Sequence, residues 1–211
     1  MKSYGQLCAV ARALDVVGDR WTLLIVRELI TRGQARFTDL QKGLPGVAPN
    51  LLAQRLRTLQ EEGVLHQDPA SAAAAGSGYR LTDRGRELEG VVRELLRWGA
   101  PTVPGASAEA AFQMHWLSLP ARYLLRDNDP DGDAVDLRFG TLADGFDVTA
   151  SQGSVQVGPC RADASPAATV DGPGPVLVGL LQGAVPLHAA LEAGVTVEGD
   201  RAALVRVLPR R

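Results

Sequence analysis

The sequence predicts an α+β protein: an N-terminal winged helix-turn-helix domain followed by a C-terminal α+β domain. Three observations predict it. Residues 37–81 read as a helix, a tight turn, a second helix and a β-hairpin. Residues 83–98 place apolar side chains at helical spacing and run into a Pro/Gly-rich junction. Beyond that junction, short segments alternate apolar and polar residues as half-buried strands do, with apolar helical segments between them.

Taken in order, Cys8 to Val17 forms a short apolar helix that ends at Gly18. Asp19 caps the next, in which Trp21, Leu24, Ile25 and Leu29 recur at helical spacing. Arg36-Phe37 lead into a short helix, Thr38 to Gly43, with Thr38 as its cap. Leu44-Pro45-Gly46-Val47 break it. Pro49 suits the first position of the following helix, where its missing N–H costs nothing, and that helix runs to Glu62 and stops at Gly63. Val64 to Gln67 and Gly78 to Leu81 are the strands of a wing around a small, flexible tip that includes Ala72 to Ala75. Thr82 caps an amphipathic helix, Asp83 to Trp98, whose stripe is Leu88, Val91, Val92, Leu95 and Leu96. Only Leu81 of the wing can cover that stripe, so a partner subunit is expected to bury it.

Gly99 to Ala106 is the expected linker, which makes residues 1–98 the winged-helix domain and 107–211 the second domain. A helical segment is predicted from Ala108 to Leu125, interrupted near Pro120, before an acidic turn, Asp127 to Asp133. Strands follow at Val135 to Phe139, Phe146 to Ala150, Val155 to Val157 and Ala168 to Asp171. Val176 to Leu181 and Leu187 to Ala193 read as helices, Val195 to Glu198 as a last strand, and Asp200 caps a final helix, Arg201 to Leu208.

Composition narrows the function classes. The chain has 211 residues, 45% hydrophobic and 22% charged, with no apolar run long enough to span a membrane. Its N-terminus lacks the apolar core of a secretion signal, and Cys8 and Cys160 make no disulfide framework, so a reduced, cytoplasmic setting is expected. The net charge of −2 conceals an asymmetry: residues 1–100 carry +3 and residues 101–211 carry −5. Phosphate contact needs a local basic surface rather than a basic protein. The first half therefore suits double-stranded DNA.

A helix standing free after a tight turn is what major-groove reading requires. Leu52, Leu56 and Leu59 share the inward face of the Pro49 helix, so Asn50, Gln54, Arg57 and Glu61 point away from it. Asn and Gln can pair with adenine edges, and Arg with guanine or phosphate. Arg36 and Arg80 are candidate phosphate contacts at the entry and on the wing. Arg55, at the flank of the stripe, can reach phosphate or tie the helix to its neighbour. His66, His115 and His188 have no metal-ligand spacing. Asp127, Asp129, Asp131 and Asp133 have the rhythm of a calcium loop, but Arg138 stands where the closing Glu belongs, so a solvated acidic turn is expected. No catalytic constellation emerges; neither an enzyme nor a cofactor is expected. Cys8 and Cys160 read as small structural residues.

Residues 8–98 resemble the HxlR family of bacterial winged-helix regulators. The matching words are Cys8-Ala-Val-Ala-Arg-Ala-Leu14, Val17-Gly-Asp-Arg-Trp-Thr-Leu-Leu-Ile25, Arg36-Phe37, Leu44-Pro-Gly46, Leu51-Leu52 with Gln54-Arg-Leu-Arg57, Glu62-Gly63 and Tyr79-Arg-Leu-Thr82. The resemblance implies a homodimer on operator DNA, with the recognition helix in the major groove and the wing along the backbone. It also implies that Cys8 sits where several members sense oxidants. Ala48 departs from the serine usual before the helix proline, removing an N-cap worth about 0.5–2 kcal/mol.

Residues from about 130 to 208 resemble the sterol-carrier-protein type of lipid-binding domain, through Ala168-Thr-Val-Asp-Gly172, Val176 to Gly183, Ala189 to Gly194 and Val195 to Asp200. This implies an apolar pocket for a hydrophobic small molecule, with Leu177, Leu180 and Leu181 as its ligand-binding residues. The function expected is a DNA-binding transcriptional regulator controlled by that ligand. The rival reading is a hydrophobic-ligand carrier or assembly protein whose winged helix mediates protein contacts.

Overall fold

The computed structural model describes residues 3–68, 78–105, 107 and 109–210. The chain divides into two compact units, Met1–Leu95 and Leu96–Arg211. The expected wing tip, Ala72 to Ala75, lies outside the described residues.

The first unit contains α1 (Ala9–Val17), α2 (Thr22–Arg32), α3 (Phe37–Gly43), α4 (Pro49–Glu61), β1 (Leu65–Gln67), β2 (Tyr79–Leu81) and the start of α5 (Asp83–Gly99). Ile25 and Leu29 of α2, Leu40 of α3 with Leu44 just after it, Leu52, Leu56 and Leu59 of α4 and Leu65 of β1 are almost fully buried, and they form its core. Between α3 and α4 the chain turns at Gly46, whose φ of +88° is a left-handed conformation that favours glycine. The wing pairs β1 with β2 antiparallel, His66 opposite Arg80, and Ala35 bridges to Tyr79 as a short third rung.

Of the caps expected at Thr38 and Thr82, only the first differs from expectation. α3 begins one residue earlier than predicted, at Phe37, because the Asp39 carboxylate reaches back to the Arg36 backbone N–H (3.0 Å). Thr38 is therefore not the cap. Thr82 does cap α5: its hydroxyl accepts from the Gly85 N–H (3.0 Å) and donates to the Gly63 carbonyl (2.7 Å), fastening the helix to the turn after α4. At Gly85 α5 comes so close to the wing that a Cβ would overlap the Val64 carbonyl oxygen.

A buried ion cluster supports the helix-turn-helix from behind. Glu28 is fully buried on α2, with Oε1 accepting from Arg27 (2.7 Å) and Oε2 from Arg32 (3.1 Å). Arg27 also donates to the Gly43 carbonyl (3.2 Å), tying α2 to the end of α3.

In the second unit a short 3₁₀ turn, Met114–Leu117, leads into α6 (Ser118–Leu124). Pro120 lies in the first turn of α6, where a missing N–H is harmless, so it does not interrupt a longer helix. The strands are β3 (Val135–Gly140), β4 (Gly145–Ser151), β5 (Ser154–Pro159), β6 (Ala168–Asp171) and β7 (Thr196–Gly199). They form one sheet in the order β5-β4-β3-β6-β7, with β3 and β6 parallel and the other pairs antiparallel. α7 (Gly174–Leu181) and α8 (Leu187–Glu192) lie between β6 and β7 in the chain, and α9 (Arg201–Val207) follows β7. Alternation aims Leu137, Phe139, Phe146, Val148 and Val170 into one core with residues of α6, α7 and α9. Phe139 and Phe146 pair across the strands with their rings stacked at 4.9 Å.

The acidic turn differs from the solvated loop expected. Arg206 of α9 grips Asp127 through two hydrogen bonds (2.7 and 3.1 Å), and the Asp129 and Gly153 amides donate to the same carboxylate. Arg206 first, then those amides, hold the Asp127 carboxyl down at about 2. No group of three metal-ligating side chains occurs among the described residues.

Candidate nucleic-acid interface

α4 is amphipathic in the structure as in the sequence. Leu52, Leu56 and Leu59 are at most 1% exposed, while Asn50, Gln54, Arg57 and Glu61 are exposed on the other side. Among the described residues, the side chains of Asn50, Gln54 and Arg57 have no partner. Two amides and a guanidinium thus stand on one helical face within about two turns, each able to hydrogen-bond an outside group. Ala48 supplies no side-chain cap, but its carbonyl accepts from the Leu52 N–H (3.0 Å), and Pro49 starts the helix.

The other three candidate arginines differ from one another. Arg36 is exposed at the start of α3. Arg55 is held inside the unit: its Nη2 lies 2.5 Å from Asp19 Oδ2, both side chains less than one-fifth exposed. This pair ties α4 to the segment ahead of α2. Arg80 is half exposed on the wing and is engaged by Gln34 (2.6 and 3.1 Å) and Asp68 (2.9 Å). It can reach a phosphate only by leaving or sharing those partners.

Cys8 is not the buried residue expected. It is exposed at the start of α1, and the Ala11 amide, then that of Val10, hold its thiol below the ordinary value. A helix N-terminus favours the thiolate for this reason. Cys160 is the opposite case. Burial first, then the Asp147 charge, push its thiol up to about 11, which keeps it protonated.

The expected ligand residues lie in the core. Leu177, Leu180 and Leu181 are at most 2% exposed and belong to the core of the second unit. Leu181 alone of the three also borders a cavity of about 640 Å³. That cavity is walled by α6, α7, Ser107, Ala110 to Phe112 and the last turn of α5, all within the second unit. Its walls are far apart in sequence, and no local pattern marks them.

The sequence profile of the family described as HxlR-like helix-turn-helix matches residues 16–106. Rv3095, an uncharacterized HTH-type transcriptional regulator of Mycobacterium tuberculosis, is 42% identical over 96 residues, covering 46% of this chain and 60% of that protein. YvaP of Bacillus subtilis, of the same description, is 33% identical over 87 residues, covering 41% of this chain and 80% of YvaP. The crystal structure of PA1607, a proposed transcription factor, is 39% identical with a TM-score of 0.44, over 52% of this chain and 74% of that one. The chain thus spans about 60% of the length of the mycobacterial relative.

Proposed function

The chain belongs to the HxlR-like helix-turn-helix family, and from that premise we propose that it is a transcriptional regulator whose α4 reads the major groove of operator DNA. The observation that carries this reading is the exposed Asn50/Gln54/Arg57 face, without partners among the described residues, on a helix anchored by three buried leucines. Arg36 and, after exchanging partners, Arg80 are the phosphate contacts in this reading. Arg55 acts as a strut, not as a DNA contact.

A homodimer completes it, because a twofold reader engages two half-sites. Val91 and Leu95 of α5 are 44% and 46% exposed, and Val10 and Leu14 of α1 are 67% and 40% exposed, so apolar surface is open for a second copy. Val92 is 8% exposed and already covered by its own chain, so Val91 and Leu95 are the α5 residues assigned to the interface in this proposal.

The second unit acts as a sterol-carrier-like sensor in this proposal. What supports it is a five-stranded sheet with its core on one side and an apolar cavity near the junction. A ligand changes DNA affinity only if it binds one state of the protein better than the other.

The test is a titration of full-length protein on labelled duplex at several salt concentrations. Affinity should fall linearly with salt on logarithmic axes, as phosphate contact requires. Arg57→Ala should lose about 1–3 kcal/mol of affinity, the scale of one good base contact. Salt-independent retention, or unchanged affinity for Arg57→Ala, Gln54→Ala and Asn50→Ala alike, would sink the assigned face.

A further inference from the structure

We propose that the cavity of the second unit binds a compact, uncharged apolar molecule, and that its occupant bears directly on the last turn of α5. The proposal deepens the sensor reading above and rests on it.

The volume, about 640 Å³, lies within the roughly 300–1,000 Å³ of small-molecule sites. Its lining is apolar, with Phe112, Leu124 and Val178 among its walls. No charged residue borders it among the described residues. The side-chain polar groups there are the Ser107 hydroxyl, the Gln182 amide and the Trp116 indole N–H. A carboxylate or ammonium brought inside would lose its water and gain no counter-charge, which is costly. A neutral molecule with one or two hydrogen-bonding groups pays no such cost.

The site is also shaped. Gly174 opens α7 against the Phe112 ring so closely that a Cβ there would lie 2.6 Å from its carbons. A side chain at that position would push the aromatic wall. Leu96 and Gly99 also line the cavity, and both belong to α5, which begins at Asp83 in the first unit. An occupant therefore touches the end of the helix that carries the exposed Val91 and Leu95.

The experiment pairs two probes of one ring system: phenylnaphthylamine, which is neutral, and anilinonaphthalenesulfonate, which is anionic. Full-length protein should bind the neutral probe saturably, one per chain, and at least about tenfold tighter than the sulfonate. Val178→Trp on α7 and Ala100→Trp, at the cavity wall just after α5, fill it from two places in the chain, so a folding failure of one leaves the other. Each folded variant should bind the neutral probe at least about tenfold more weakly. Equal or tighter binding of the sulfonate overturns the uncharged class and leaves the sensor reading standing. Absence of saturable neutral binding, or binding indifferent to both substitutions, overturns the site. Neutral binding at this site without a change in DNA affinity upholds the site and defeats the sensor reading instead.

Discussion

Arg55 and Arg57 stand two residues apart on one helix, yet their surroundings differ. Arg57 is exposed and has no partner among the described residues, whereas Arg55 meets Asp19 at 2.5 Å with little solvent to screen the pair. A double-mutant cycle of Arg55→Ala and Asp19→Ala, read by chemical denaturation, should give a coupling of about 0.5–3 kcal/mol. Strictly additive effects would mean that the pair holds nothing. Spacing alone could not separate the two roles, because Arg55 lies at the flank of the apolar stripe and either neighbour was open to it. Asp127 shows the same limit: its partner Arg206 is 79 residues away, so an acidic run looked solvated when one of its members is gripped. With its folded value at about 2, below the ordinary 3.8, Asp127 stabilises the native state above the ordinary value. That contribution disappears as pH falls through about 2. Asp127→Asn should therefore be less stable than the parent at neutral pH, with the gap closing in acid. A gap that stays constant with pH would contradict the assignment.

Elements with punctuation at both ends were legible. α4 was readable because Pro49 and Gly63 bracket it and three leucines fix its inner face. Strands β3, β4 and β6 were readable because alternation is a local signal, and they appear within a residue of expectation. α7 was not readable in the same way: apolar residues cover it on all sides, so its sequence does not say which leucines meet a cavity and which fill the core. α5 was half legible. Its stripe was visible, but Val92 packs within the chain while Val91 and Leu95 stay exposed, a distinction that depends on contacts distant in sequence. Leu95→Glu places a charge on that exposed pair and should shift the protein from dimer to monomer in sedimentation velocity. A parent protein that is already monomeric at working concentration would refute the dimer before any substitution is made.

DNA reading by the first unit and ligand sensing by the second have separate tests, and α5 runs from one unit into the other. DNA reading is the first unit's proposed work. Its most direct measurement is a hydroxyl-radical footprint of the full-length protein on the DNA flanking its own gene, alongside Asn50→Ala/Gln54→Ala/Arg57→Ala. The account predicts two protected patches about one helical turn apart, roughly 34–36 Å centre to centre or a multiple of it. The triple variant should lose both patches while its thermal transition stays that of the parent. Paired protection that survives the triple substitution, or no protection at all from a folded parent protein, would contradict the account.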